Sequence, residues 1–206
     1  MSSTNRSDAR KGHQFDHYIT PDWIVEDYFR FVLTHDAIAP QREHHIKMAQ
    51  IGIIDPCAGG TAEIEMPYPK IIGETEWFKE SPLETIDIRF DSRASIVGDF
   101  LKINRGCLPD RVGYIISNPP YTIGQEFVDK SLDLVENGGI VAMLLRVGFL
   151  GSAKRYEWFK RHMPEFIVVH HKRPSFTSDG KTDSDYYAHF VWRKGYNPLE
   201  AKMILV

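Results

Sequence analysis

Asn118, Pro119, Pro120 and Tyr121 follow one another at the end of an apolar run, Tyr114 to Ile116. The Asn118 side chain offers an amide oxygen, Pro119 a carbonyl without an N–H, and Tyr121 a ring face. Two adjacent prolines exclude strand and helix, so the chain must turn there. Two acceptors above an aromatic plate suit a planar molecule bearing an NH2 group. Such an amine is a poor nucleophile, because its lone pair is delocalised into the ring. Acceptors that hold both amine hydrogens draw the nitrogen towards tetrahedral geometry and aim the lone pair at an electrophile. If the proton leaves after attack, no general base is required, and positioning with electrostatic stabilisation carries the reaction. The plain alternative is a structural turn.

Three other corners carry acids. Asp55, Pro56, Cys57, Ala58, Gly59 and Gly60 end a short apolar strand, "IGIID". The glycine pair lets backbone approach a ligand closely. No Lys-Ser/Thr follows, so this is no phosphate-binding P-loop, and the dinucleotide fingerprint needs three spaced glycines. A carboxylate beside the turn suits a cation, such as an amino group or a sulfonium; a simple tight turn is the alternative. Asp87, in the run "TIDI", ends the second strand, a place where acids bond ribose hydroxyls in nucleotide-binding sheets. Glu74 is its rival, nearer the glycines but outside any strand pattern. Asp99 follows Gly98 and is placed to accept from an exocyclic amine, with Phe100 packing on a ring.

These corners need elements to hold them. "YITPDWIVEDYFRFVL" reads as an amphipathic helix, with Thr20 as N-cap, Pro21 at the first helical position, and Trp23, Ile24, Tyr28, Phe31 and Val32 on one face. Pro67, Pro69 and Pro82 rule out one long helix over 61–84, which predicts short helical turns and loops there. "TIDIRF", "ASIVGDFL", "RVGYIIS", the doubly buried "GIVAMLLRV", "EFIVVHH" and "YYAHFVWRK" read as strands. "GQEFVDKSLDLVENGG" and "SAKRYEWFKRHM" read as helices between them. Alternation predicts an α/β fold, a mostly parallel sheet with helices on both faces, closed by an antiparallel C-terminal hairpin strand. Ligands in such sheets sit beyond the carboxyl ends of the strands, where all four corners lie.

The 206 residues, 42% hydrophobic and 26% charged, fit one globular domain over 15–206, preceded by a polar, disordered tail over 1–14. No apolar stretch of about 18 residues exists, so no membrane span is expected. Two cysteines make no disulfide framework, and a reducing, cytoplasmic setting is the simpler reading. The nine histidines show no ligand spacing, so no metal site is expected. The net charge is −3, yet residues 146–173 hold seven basic residues against two acids, a face suited to a polyanion or simply a solvated helix face.

Taken together, "NPPY" at 118–121, "DPCAGG" at 55–60, "YITPDWIVEDYF" at 18–29 and "GDF" at 98–100 resemble the S-adenosylmethionine-dependent amino-methyltransferases, with their Rossmann-like sheet. "KRPSFTSDGKTDSDYYAHFVW" is similar to small phage and prophage DNA adenine-N6 methyltransferases, and the likeness covers roughly residues 15–195. It implies that Asp55 and the Gly59-Gly60 turn hold the methionine end of S-adenosylmethionine. Asp87 would take the ribose, Asp99 and Phe100 the adenine, and Thr20 and Pro21 would close the pocket. Asn118, Pro119 and Tyr121 would hold the target amine of a base flipped out of the duplex. Phe176 would stack on that base opposite Tyr121, with Lys172 and Arg173 on phosphates. "GGT" stands where the family alternates glycines. With no separate recognition domain, site selection would fall to loops 61–84 and 177–185 or to a homodimer partner. DNA is the expected partner. RNA, a protein glutamine amide, and a non-catalytic binding subunit are the alternatives.

Overall fold

The computed structural model describes residues 19–176 and 182–206. The N-terminal tail and most of the 177–185 loop fall outside them.

Apolar runs become strands: β1 (Ile53–Asp55), β2 (Leu83–Asp87), β3 (Ile96–Val97), β4 (Tyr114–Ser117), β5 (Ile140–Arg146), β6 (Phe166–Val169), β7 (Tyr187–Arg193) and β8 (Lys202–Leu205). They form one eight-stranded sheet in the order β3-β2-β1-β4-β5-β7-β6-β8. The pairs on either side of β1 are parallel, as is β4 with β5, whereas β7 runs antiparallel to both β5 and β6. The expected hairpin therefore forms, with β7 inserted between β6 and the rest of the sheet. β8 adds a strand that the sequence pattern did not reveal, parallel to β6.

The strand order reverses between β1 and β4, the point in such sheets where a ligand crevice lies beyond the carboxyl ends of the strands. Both faces are covered. Helices α1 (Asp22–Thr34), α2 (Arg42–Ile51) and α3 (Pro67–Glu74) pack Tyr28, Phe31, Met48, Tyr68 and Ile72 onto one face. On the other, α4 (Gly124–Leu134) and α5 (Tyr156–Phe159) bring Phe127, Val128, Trp158 and Phe159. Close approach matters at Gly113, where a Cβ would lie 2.0 Å from the Met48 carbonyl oxygen.

Two expectations need correcting. Helix α1 starts at Asp22, Pro21 is its N-cap residue, and no side chain caps it; the Thr20 hydroxyl is engaged elsewhere. The helix expected over "SAKRYEWFKRHM" is only a 3-10 turn, Ala153–Arg155, followed by α5. It stops because Asn197 takes over its end: the Asn197 amide donates to the Lys160 carbonyl at 3.0 Å, and its oxygen accepts the Met163 N–H at 2.8 Å. Among the described residues no helix is long and apolar enough to cross a membrane, and no group of three or more His, Cys, Asp or Glu is placed to hold a metal ion.

Candidate active site

The turn after β1 is held from three sides. Asp55 is fully buried; its Oδ1 accepts the Ser117 hydroxyl at 2.6 Å and the Cys57 N–H at 3.2 Å. The Ala58 N–H donates to the Ile86 carbonyl at 2.9 Å. Gly59 donates its N–H to Asp87 Oδ2 at 2.7 Å, while its carbonyl accepts the Ser92 hydroxyl at 2.6 Å. Arg89 Nη2 donates to the Gly60 carbonyl at 2.7 Å. Both glycines have left-handed backbone, with φ of 66° and 72°. A Cβ on Gly59 would meet nothing within 4 Å, whereas one on Gly60 would strike Met66 Cγ at 2.6 Å. Gly59 thus borders open space, and Gly60 is a packing requirement. A cleft above the turn is lined by Thr20, Cys57, Gly59, Gly60 and Tyr68.

Electrostatics single out Asp55. Its Oδ2 has no hydrogen-bond partner. Burial pushes its pKa from 3.8 up to about 7, helped by the charge of Asp87 and opposed by the bonds from Ser117 and Cys57. A buried carboxylate with one oxygen free is primed for a cation, which would draw its pKa down again. Asp87 is also held above its ordinary range by burial, against the N–H bonds from Arg89 and Gly59. Asp99 lies at the surface, and the Lys102 ammonium 2.9 Å away holds its pKa low. Phe100 is only 2% exposed and stacks on Phe127, centroids 5.4 Å apart, so its ring packs into the core beside the turn.

At the opposite corner, Asn118 Nδ2 donates to Thr20 Oγ1 at 2.9 Å. That bond fixes the amide's orientation, and its Oδ1 is buried without a partner. Pro119 is buried and Pro120 exposed. Tyr121 lies among aromatic neighbours: Tyr187 at 5.3 Å, Phe176 at 6.4 Å, and the Arg146 guanidinium 5.1 Å from its ring centre. Phe176 is buried, and its ring is inclined 57° to that of Tyr121, so the two are neighbours but do not form a parallel slot. Arg146 is tethered to Asp185 at 3.1 Å and to the Tyr187 hydroxyl at 3.3 Å. Lys160 pairs with Glu157 at 2.8 Å. The basic segment is therefore partly neutralised, leaving Lys154, Arg161, Lys172 and Arg173 exposed; Lys172 Nζ lies 5.9 Å over the Trp23 ring.

Gly59, Gly60 and Asp87 are thus linked by hydrogen bonds through Arg89, while Asp55, two residues before Cys57 on the same turn, is bonded to Ser117, the neighbour of Asn118. Ser117, Arg89, Ser92 and Tyr68 belong to the site and carry no motif; only the adjacency of Ser117 to Asn118 could have flagged any of them.

No family model and no curated protein matches the chain. Solved structures do. A protein from Listeria monocytogenes described as a class I S-adenosylmethionine-dependent methyltransferase superposes with a TM-score of 0.61 at 16% identity, over 96% of this chain and 68% of that one. The type IIG restriction endonuclease BpuSI gives 0.59 at 15% identity, over 96% of this chain and 28% of its own. The M protein of the type I restriction enzyme EcoKI gives 0.56 at 13%, over 92% and 47%. The chain therefore has the class I methyltransferase fold, and it spans less than half of the two restriction-enzyme proteins.

Proposed function

We propose that the protein methylates the exocyclic N6 amine of adenine in DNA, using S-adenosylmethionine. The observation that carries this reading is the Asn118 amide: its nitrogen is committed to Thr20 and its oxygen is buried and unpaired. An unmade buried hydrogen bond costs about 1–3 kcal/mol, and an incoming amine N–H would recover it. The unpaired Asp55 Oδ2 and the open space at Gly59 fit the cationic amino-acid end of the cofactor, and the Asp87 carboxylate fits its ribose. When bound beside Asp55, Gly59 and Asp87, S-adenosylmethionine would supply a sulfonium-activated methyl group, S-adenosylhomocysteine being the leaving group and the amine proton passing to solvent.

The chain's own residues do the rest. Asn118 Oδ1 and the Pro119 carbonyl hold the amine hydrogens, and the rigid Pro119-Pro120 corner keeps those acceptors from collapsing onto each other. Tyr121 supports the ring face, and a flipped base would enter beside Phe176 once the two rings turn parallel. Thr20 does more than close the pocket, since its hydroxyl orients the catalytic amide. Exposed Lys154, Arg161, Lys172 and Arg173 suit phosphates, which position without reading sequence. The fold shared with two restriction-enzyme proteins favours DNA over other amines.

The test is labelled methyl transfer offered DNA, RNA and protein side by side, with digestion to identify the product. N6-methyladenine from DNA supports the reading; label only in RNA or in glutamine overturns the substrate. Asn118→Ala should abolish transfer and leave S-adenosylhomocysteine binding within about twofold, since the lost bond acts on the reacting amine.

A further inference from the structure

A row of buried titratable side chains crosses the α1 face of the sheet beneath the cofactor cleft. Tyr68 Oη lies 2.9 Å from His189 Nε2, and His189 Nδ1 lies 2.9 Å from His170 Nε2. His170 Nδ1 faces Asp27 Oδ2 at 3.9 Å, and neither atom has another partner. Asp27 is 7% exposed, Tyr68 1%, and both histidines are fully buried. The four come from α1, the end of β6, β7 and α3, so tertiary packing alone brings them together. The Tyr28 ring lies on His189 with centroids 4.5 Å apart, and the edge of Trp23 meets His170 at 5.9 Å.

The chemistry of the end group fixes the direction of the whole row. Asp27 is ion-paired through Oδ1 with Arg30, and a carboxylate only accepts. At 3.9 Å the contact is electrostatic rather than a hydrogen bond, and it favours a His170 Nδ1–H facing the carboxylate over a bare Nδ1 lone pair. A neutral imidazole has one N–H, so His170 Nε2 is bare and accepts from His189 Nδ1–H. His189 Nε2 is then bare in turn and accepts the Tyr68 O–H. Burial drives both imidazoles to the neutral form: it lowers the His170 pKa to about 3, with the charge of His171 adding to it, and takes His189 well below its ordinary range. With its proton committed to His189, the Tyr68 oxygen keeps only lone pairs. Tyr68 lines the same cleft as Gly59 and Gly60 and lies within range of the Asp55 charge. Chains of this kind polarise each link, which makes the terminal oxygen a better acceptor.

We propose that Tyr68 is a second acceptor for the ammonium group of the cofactor's amino-acid end, and that His189, His170 and Asp27 are positioning residues that hold its hydroxyl proton away from the cleft. The assignment rests on the S-adenosylmethionine reading above, and the relay itself does not.

Two measurements test it on the full chain. Nitrogen-15 spectra of histidine-labelled protein near neutral pH should show His170 and His189 as Nδ1–H tautomers with bare Nε2; an Nε2–H tautomer at either residue overturns the relay. In calorimetry, Tyr68→Phe should weaken S-adenosylhomocysteine by about tenfold, the effect of one hydrogen bond to a charged group. Affinity for 5′-methylthioadenosine, which has no amino-acid end, should be unchanged. Asp27→Asn, remote from the ligand, should show the same selective loss, smaller in size, with a shifted tautomer spectrum. Equal losses for both ligands, or none, overturn the ammonium assignment while leaving the cofactor reading standing. If the unaltered chain binds neither adenosyl ligand, the cofactor reading fails and the assignment falls with it.

Discussion

Replacing Asp55 by Asn should make the fold more stable and the cleft worse at holding a cation. Burial raises the Asp55 pKa from 3.8 to about 7, about 4 kcal/mol between the protonation states. The sign follows from proton counting. Between those two values the folded chain holds a proton at Asp55 that the unfolded chain has released. The Asp55 contribution to stability therefore falls as pH rises through that window and is flat above about 7. At pH 8 the wild-type fold carries the full cost of a buried charge. Asn keeps the shape and can still accept from Ser117 and Cys57, but its Nδ2 takes the place of the unpaired Oδ2, which costs about 1–3 kcal/mol. The net gain at pH 8 is then on the order of 2 kcal/mol, or about 4–8 °C in Tm for a chain of this size, and it should shrink towards pH 5. Melting curves of both proteins from pH 5 to 9 measure this. Calorimetry with S-adenosylhomocysteine gives the other half: wild-type affinity should fall about tenfold per pH unit below 7, and the variant's should be weaker and level. Parallel melting profiles across the range would refute the idea that a buried, ionisable Asp55 waits for a cation.

Other outcomes follow from the same structure. Burial lowers the pKa of His45 and His170 to about 3 each and of His189 well below its ordinary value. Below about pH 6.5 the unfolded chain gains three protons there that the folded chain refuses, and uptake by Asp55, with the raised carboxyls of Asp87 and Glu165, offsets part of this. Stability should drop as pH falls from 6 to 4, by at most about 3 kcal/mol per pH unit; urea unfolding that is level across this range contradicts it. Gly113→Ala forces a methyl to within 2.0 Å of the Met48 carbonyl oxygen; α2 must lift off β4, at about 3 kcal/mol by denaturant midpoint. Thr20→Val removes the acceptor that orients Asn118; turnover should fall at least about tenfold while cofactor affinity changes little, and an unchanged kcat would show that the amide needs no such partner.

Much of this architecture can be read from local patterns, because parallel strands buried on both faces are written as continuous apolar runs and their exits must be polar or glycine-rich. Asp55, Asp87 and Asn118 are legible for that reason. Thr20 is legible as a pocket residue, but its bond to Asn118 is not, since an N-cap signature only says that a hydroxyl stands before a helix. Phe100 reads like any aromatic beside a turn until α4 supplies Phe127 as its neighbour. β8 is four residues long and follows Pro198, too short for a period to show, and it exists only because β6 offers it an edge. The histidine row has no spacing signal at all, as its members come from four separate elements.

The bond between Thr20 and Asn118 spans 98 positions of the chain. Contacts of such separation form late, because the intervening loop must close before they return anything. The central strands can pair, and the turn after β1 can settle, while the target corner still lacks its alignment. A refolding chain should therefore regain sheet signal before it regains turnover, with the interval reporting the docking of α1. On the proposed reading, docking of α1 would tie chemical competence to completion of the fold.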